Sequence, residues 1–212
     1  MRDIKKLIQF NQEQLKPYMT LGFKISDSTH IYNCVVNSLK MAGFKMQSSA
    51  TWNVLWTGCI KSTRLKYINN KDQRINHFAG SLSLGRKDLM WKNVQRMRRL
   101  YGKAFDIAPS TYIFPEDYKR WLIDREMAGF KHMYIMKPAA SSCGRGIKVV
   151  GKKQHVGKRS GYIVSKYVSK PHLLNGYKYD LRLYVLVTSF EPLKIYLFQN
   201  GLVRLATVPY TT

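Results

Sequence analysis

The sequence predicts a mixed α/β fold, on three observations. Between residues 26 and 56 a helical pattern gives way to short strand-like runs. Between residues 133 and 150 two apolar, strand-like runs flank a stretch of small residues. From Leu183 to Ala206, apolar and β-branched runs follow one another around Asn200-Gly201, a strong hairpin signal. Hydrophobic residues make up 45% and aromatics 13% of the 212 residues, enough to bury a real core. A chain of this length forms one large domain or two small ones.

Residues 1–25 read as a polar, mixed leader, in which Leu7, Ile8 and Phe10 are too few to define an element. Ser26-Asp27-Ser28 offers helix N-caps. Ile31, Cys34, Val35 and Leu39 then share one helical face, and Gly43 stands where a C-terminal glycine closes a helix. Residues 44–46 and 54–56 read as short strands about the loop 47–51, giving a small α/β lobe over 26–84. Residues 68–81 read as a loop whose His77 is structural or solvated. Gly85-Arg86-Lys87-Asp88 opens the clearest helix, which Gly102 ends. Leu89, Met90, Val94, Met97 and Tyr101 form its apolar stripe, and Lys92, Arg96, Arg98 and Arg99 a solvated face. Lys87, in the first turn after a glycine-containing loop, is placed to point into a cleft.

Pro109 and Pro115 bracket a connection. Pro115-Glu116-Asp117 begins a helix, with proline in the first turn and acids at the positive dipole end. That helix packs Tyr118, Trp121 and Leu122 and ends near Gly129. After the basic turn 151–160 come a strand over 162–168, a long connection over 169–177, and a strand at 178–182. Residues 183–188 read as a buried strand, and 194–198 with 202–206 as a hairpin about Gln199-Asn200-Gly201. The central region is assigned to 85–170 and a further one to 171–212.

The outlying property is charge: +24 at pH 7, with a pI near 10.1. Such a field attracts nucleic acid, anionic membrane, nucleotides or a polyacidic protein. The charge is spread along the chain, which argues against a basic arm. Cys34, Cys59 and Cys143 have neither CxxC spacing nor histidines at metal distance, so they predict reduced, intracellular thiols without zinc or disulfides. No apolar run approaches the ~20 residues of a membrane span, and MRDIKKLIQF lacks a signal-peptide core. No RNP, KH or zinc-finger signature supports nucleic acid, which rests on charge alone.

Residues 133–150, MYIMKPAASSCGRGIKVV, carry the chemistry. A strand-like run delivers Lys137, small residues follow to Gly146, and residues 147–150 form a second strand-like run. Gly144 and Gly146 let backbone amides approach an anion. The spacing is not that of a P-loop, so the stretch reads either as a phosphate-holding flap or as a plain glycine-containing hairpin turn. Lys178, Asp180 and Arg182 share one strand face at period two. They form either a rim-exposed ion-pair ladder or the polar wall of a ligand cleft.

Five segments then stand in a recognisable order: NHFAGS (76–81), GRKDLMWKN (85–93), KPAASSCGRGI (137–147), YIVSKYVSKPHLLNGYKYDLRLYVLVTS (162–189) and LKIYLFQNGLVRLAT (193–207). Over roughly residues 56–210 the chain resembles the tubulin tyrosine ligase-like family, and more narrowly its glutamate-adding members. The resemblance implies an ATP-grasp fold with a small N-terminal α/β lobe, a central lobe and an incomplete C-terminal lobe. It also implies ligation of glutamate to side chains of acidic tubulin tails through an acyl phosphate made with ATP and magnesium. The partners it implies are tubulin, microtubules and glutamate, and the location is cytoplasmic and cytoskeletal, on microtubules and at the cilium or basal body. Neither membrane nor nucleic acid is implied.

By position, the resemblance places Lys137 at the ATP phosphates. Cys143, Gly144, Arg145, Gly146 and Ile147 become the phosphate cover, with Arg145 also facing the acidic protein tail. Ser165, Lys166, Tyr167 and Val168 form the adenine-side linker. Lys178, Tyr179 and Asp180 fall at nucleotide positions, Asp180 suited to a ribose hydroxyl, and Arg182 stands near the phosphates. Arg204 receives the carboxylate of the incoming glutamate, for which a guanidinium fork is suited, and Lys87 resembles an additional phosphate-side lysine. The chain departs from the family in its acids: after Glu126 only Asp180 and Glu191 remain. The family's Thr-Asn pair, later lysine and Asp, Glu and Asn magnesium ligands are expected beyond residue 212. The reading is therefore of a C-terminally truncated member, with no metal ligand in the chain and no catalysis by it alone. The alternatives are a non-catalytic tubulin-binding module and a basic nucleic-acid-binding protein.

Overall fold

The computed structural model describes residues 21–26, 32–48, 52–58, 68 and 72–211. They form helices and several sheets, the mixed α/β chain that the sequence predicts. The chain divides into two compact units between Asn93 and Val94.

The first unit holds a four-stranded parallel sheet in the order β2-β1-β3-β4, with β1 at Gly22–Ile25, β2 at Lys45–Met46, β3 at Val54–Trp56 and β4 at Arg74–Ile75. Reading residues 1–25 as a leader misses β1, which is an inner strand with Phe23 and Ile25 buried. GFKI is too short, and Lys24 too polar, for its pattern to stand out. Residues 1–20 lie outside the described residues, as do Asp27, Ser28 and Ile31. Helix α1 (Asn33–Met41) starts after Tyr32 without a side-chain cap, so the expected serine cap is not the one used. Its end is as expected. Gly43 takes a φ of 89°, its N–H donates to Lys40 O and the Phe44 N–H to Leu39 O, the paired bonds that close a helix on glycine. Val35 and Leu39 are half-buried, whereas Cys34 is exposed.

β4 lies inside the segment read as a loop. Its neighbour Asn76 clasps Thr57, accepting the Thr57 N–H at 2.9 Å and donating to its carbonyl at 3.0 Å. His77 Nε2 lies 3.0 Å from the same carbonyl, which gives the histidine its structural partner. After the one-turn helix α2 (Leu82–Gly85), helix α3 spans Lys87–Tyr101, as its caps predict. Its packed face differs from the predicted stripe: Trp91 is the buried residue, while Met90 and Tyr101 are exposed. Trp91, Val94 and Arg98 are spaced i, i+3, i+7 and define that face. Arg98 accordingly leaves the solvated face. Its Nε donates to Phe105 O at 2.9 Å, and its terminal nitrogen meets Asp106 at 2.5 Å and the Ala108 carbonyl.

The second unit is built on an antiparallel sheet in the order β5-β8-β6-β7, comprising β5 (Thr111–Phe114), β6 (Tyr134–Pro138), β7 (Lys148–Val150) and β8 (Tyr162–Lys166). Helix α4 (Tyr118–Met127) packs on one face. Residues 111–114, read as a connection between prolines, are a strand buried at every position. Tyr112 and Phe114 join Trp121, Tyr134, Met136, Val150, Val156 and Val164 in the core. Phe114 and Tyr134 meet the Trp121 ring edge-on, with centroids 5.5 and 5.8 Å away, a favoured aromatic geometry. Leu122 is exposed rather than packed, and Arg125 takes the second buried position of α4. The helix ends at Gly129, whose φ is 58°.

The remaining strands pair differently from the prediction. β9 (Leu173–Leu174) lies in the segment read as a long connection and pairs with β10 (Tyr177–Arg182) across Asn175 and Gly176. Those two residues have φ of 49° and 81°, as a two-residue Asn-Gly hairpin requires. The predicted hairpin at Asn200-Gly201 is absent: β12 (Leu193–Leu197) pairs with β11 (Val185–Phe190), and β13 (Leu202–Leu205) with β10. Neither Asn200 nor Gly201 has the positive φ that turn needs. β11 is also not buried, since Val185, Leu186 and Phe190 are all more than half exposed.

Candidate nucleotide site

Strand β6 separates two jobs by its period of two. Tyr134 and Met136 enter the core, while Ile135 and Lys137 lie on the opposite face. Lys137 stands opposite Ile163 of β8, and Ser165 opposite Ile135. On that face Thr111 Oγ1 lies 2.8 Å from Ser165 Oγ and 3.0 Å from Pro109 O, tying the edge strand β5 to the linker end of β8.

Directly after Lys137 the chain turns through residues 139–147, exposed from 142 onward. Cys143, Gly144 and Gly146 take φ values of 58°, 72° and 71°. Left-handed residues in such a turn can bend the backbone into a concavity that gathers amides about an anion. The Arg145 and Ile147 amides make only long backbone bonds, 3.3 and 3.4 Å. At Gly146 a Cβ would lie 2.8 Å from Pro138 Cγ, so glycine is required there twice over, by φ and by space. The stretch is thus a half-buried lysine at a strand end followed by an exposed loop in which only Gly146 is barred from carrying a side chain by its surroundings.

The linker end of β8 meets β10 through an aromatic clamp. Lys178 Nζ donates to Tyr167 OH at 3.1 Å and lies 4.7 Å from that ring's centroid and 5.6 Å from that of Tyr210. Tyr210 donates from its hydroxyl to Ser169 O at 3.1 Å and from its amide to Gly176 O at 2.9 Å. The neighbouring Tyr210 hydroxyl, and after it Lys178, draws the Tyr167 phenol below its ordinary pKa, while Tyr167 raises that of Tyr210. Tyr210 was not singled out from the sequence, since no spacing marks a tyrosine after the last strand.

Further along β10, Asp180 pairs with Arg204 of β13, at 2.7 Å from Nε to Oδ1 and 3.0 Å from Nη2 to Oδ2. Of the two readings of the Lys178-Asp180-Arg182 face, Asp180 fits the exposed ion pair. Lys178 instead belongs to the tyrosine clamp, and Arg182 is exposed. Tyr179 is on the other face of β10, its hydroxyl 3.1 Å from His172 Nδ1, away from Lys178 and Asp180. Lys166 and Val168 are exposed. Lys87 belongs to the first unit. Among the described residues no group of three His, Cys, Asp or Glu side chains is placed to hold a metal ion.

The family model of the tubulin-tyrosine ligase family matches residues 66–212. The chain is 40% identical over 189 residues to the tubulin monoglutamylase TTLL4 of Homo sapiens, covering 87% of this chain and 15% of that protein. It is 40% identical over 164 residues to the tubulin polyglutamylase TTLL5 of Homo sapiens (77% of this chain, 13% of that protein). It is 36% identical over 183 residues to the tubulin polyglutamylase TTLL13 of Mus musculus (84% and 22%). The chain thus spans less than a quarter of the length of each of these relatives.

Proposed function

The chain belongs to the tubulin-tyrosine ligase family, and on that premise we propose that it binds ATP for a ligase that adds glutamate to glutamate side chains of acidic tubulin tails. The observation that carries this reading is Lys137 at the end of β6, followed at once by the loop with Cys143, Gly144 and Gly146 in left-handed conformation. Three relatives whose names state tubulin glutamylation share this region. In an ATP-grasp arrangement Lys137 and the loop amides take the phosphates, Tyr167 and Val168 border the adenine, and Lys178 and Asp180 approach the ribose. Arg182 stands by the phosphates, and Arg204 takes a carboxylate of the incoming glutamate.

The chemistry asks the protein mainly for positioning and charge neutralisation. The acceptor carboxylate oxygen bonds to the γ-phosphorus as the bond to ADP breaks. The glutamate amine then attacks the acyl carbon, phosphate leaves, and the amine proton passes to solvent. Magnesium does not fit the described residues: it wants oxygen ligands, normally carboxylates, and the carboxylate on β10 is held by Arg204. On this reading the described residues would supply nucleotide and amino-acid contacts but not the metal's. The reading places the protein with microtubules in the cytoplasm, cilium or basal body.

Calorimetric titration of ATP and magnesium into the chain and its Lys137→Ala variant tests this. Loss of a lysine–phosphate contact weakens binding about 10- to 100-fold. Equal affinity in the variant would sink the reading. A folded chain that binds no ATP but sediments with microtubules points to a non-catalytic tubulin-docking module, and salt-dependent RNA binding without ATP binding points to a nucleic-acid protein.

A further inference from the structure

The crossover between β7 and β8 is a surface that the ligase chemistry above leaves unused. Residues 151–161 contain no acid, nor does any position between Glu126 and Asp180. Lys152, Lys153, His155, Lys158 and Arg159 are all exposed on it. The crossover is built rather than loose. The buried Arg125 guanidinium holds Gly151 O at 3.0 Å and Lys152 O at 2.5 Å. Val156 is inserted into the core, and Tyr118 OH donates to Val156 O at 2.9 Å.

Topology decides where its cations go. β7 and β8 are both antiparallel to β6, so the crossover travels the length of the sheet, leaving at Val150 opposite Tyr134 and returning at Tyr162 opposite Pro138. Gly161 O accepts the Ala139 N–H at 2.8 Å, at the root of the glycine loop. Val156 divides the cations into two pairs. Lys152 and Lys153 stay at the far end with Arg125, while Lys158 and Arg159 arrive at the end of the sheet where Lys137 leads into the loop.

We propose that Lys158 and Arg159 form a docking rim for the acidic acceptor peptide beside the phosphate loop, a role that rests on the ligase reading. A peptide fits better than nucleic acid because no Phe, Tyr or Trp lies between Tyr134 and Tyr162, so the rim has no stacking platform for bases. Exposed cations of this kind attract through a salt-sensitive field and set the orientation of an anionic partner.

The test is fluorescence anisotropy of a labelled glutamate-rich peptide with the whole chain, its Lys158→Glu/Arg159→Glu variant, and Lys152→Glu/Lys153→Glu, which changes net charge equally. The first reversal weakens the peptide about 10-fold or more and the second no more than about threefold, with ATP affinity unchanged in both. Should charge reversal impair folding, Lys158→Gln/Arg159→Gln keeps the test open, with a loss of about threefold. Equal losses in the two pairs, or none in the first, overturn the docking rim. Failure of the ligase reading is separate, since it shows as ATP binding indifferent to Lys137→Ala.

Discussion

Asp180 and Arg204 face each other across β10 and β13, the guanidinium fork engaging both carboxylate oxygens. Arg204 already holds a carboxylate, in the geometry an amino-acid carboxylate would use. If Arg204 takes the incoming glutamate as proposed, that glutamate must compete with Asp180. Both side chains are more than half exposed, so the pair contributes little to stability. Asp180→Asn is expected to shift the melting midpoint by no more than about 2 °C and to tighten glutamate binding measured by ligand-observed NMR. Arg204→Ala removes that binding with an equally small shift.

Arg125 is expected to behave in the opposite way, as a stability residue. Its guanidinium satisfies two crossover carbonyls and stacks 4.9 Å from the Trp121 ring centroid. Arg125→Ala leaves those carbonyls without their donor and costs about 3 kcal/mol in urea unfolding. Arg125→Lys recovers less than half, because an ammonium does not reproduce the fork.

The two loop glycines separate conformational strain from crowding. Gly144 and Gly146 share a left-handed φ, but a Cβ at Gly144 meets open space and one at Gly146 meets Pro138. Alanine at either position costs about 1–2 kcal/mol of backbone strain, and only Gly146→Ala must also displace the strand end beside Lys137. ATP affinity is expected to fall at least about tenfold for Gly146→Ala and about threefold for Gly144→Ala. Equal losses would remove the role given to Pro138.

Tyr112 sets the alkaline limb. Burial first, then its hydrogen bond to Asp124 at 2.8 Å, raises its phenol pKa. With the folded value above the unfolded one of about 10, the stability it supplies is complete below pH 10 and declines as pH rises toward the folded value. The urea midpoint is expected to hold up to about pH 10 and to drop above it, and Tyr112→Phe to flatten that drop.

The β11–β12 hairpin leaves Leu186, Phe190, Ile195, Tyr196, Leu197 and Phe198 more than half exposed. A two-stranded ribbon with so much apolar surface is expected to associate. Sedimentation velocity across a tenfold concentration range should show growing species; a concentration-independent monomer would count against this.

Much of the fold was legible where a local signal has one outcome. Gly43, Gly102 and Gly129 end their helices as predicted, and residues 54–56 and 162–166 are strands. The two strands about residues 139–147 were legible too, because apolar runs flank small residues there, but the same pattern suits a plain turn as well as a phosphate flap. Strand partnership was not. Asn200-Gly201 and Asn175-Gly176 are the same dipeptide, yet only the second adopts the hairpin turn, because β10 takes β13 as its neighbour. The buried strand at 111–114 was hidden by its flanking prolines, and the stripe of α3 was misplaced because Arg98 belongs to the packed face through backbone carbonyls. Tyr167, Lys178 and Tyr210 meet only in three dimensions.

The order of strands in the second unit also bears on how it assembles. The β6–β7 ribbon that carries the glycine loop closes over a short span, with Tyr134 opposite Val150. β5 reaches β8 across a far longer one, as the contact of Thr111 with Ser165, 54 residues apart, records. Closing the longer span costs more chain entropy and is slower to find. The lysine and its loop therefore belong to the early, local part of the search, and the seam between β5 and β8 is the last stitch that turns a ribbon into a sheet.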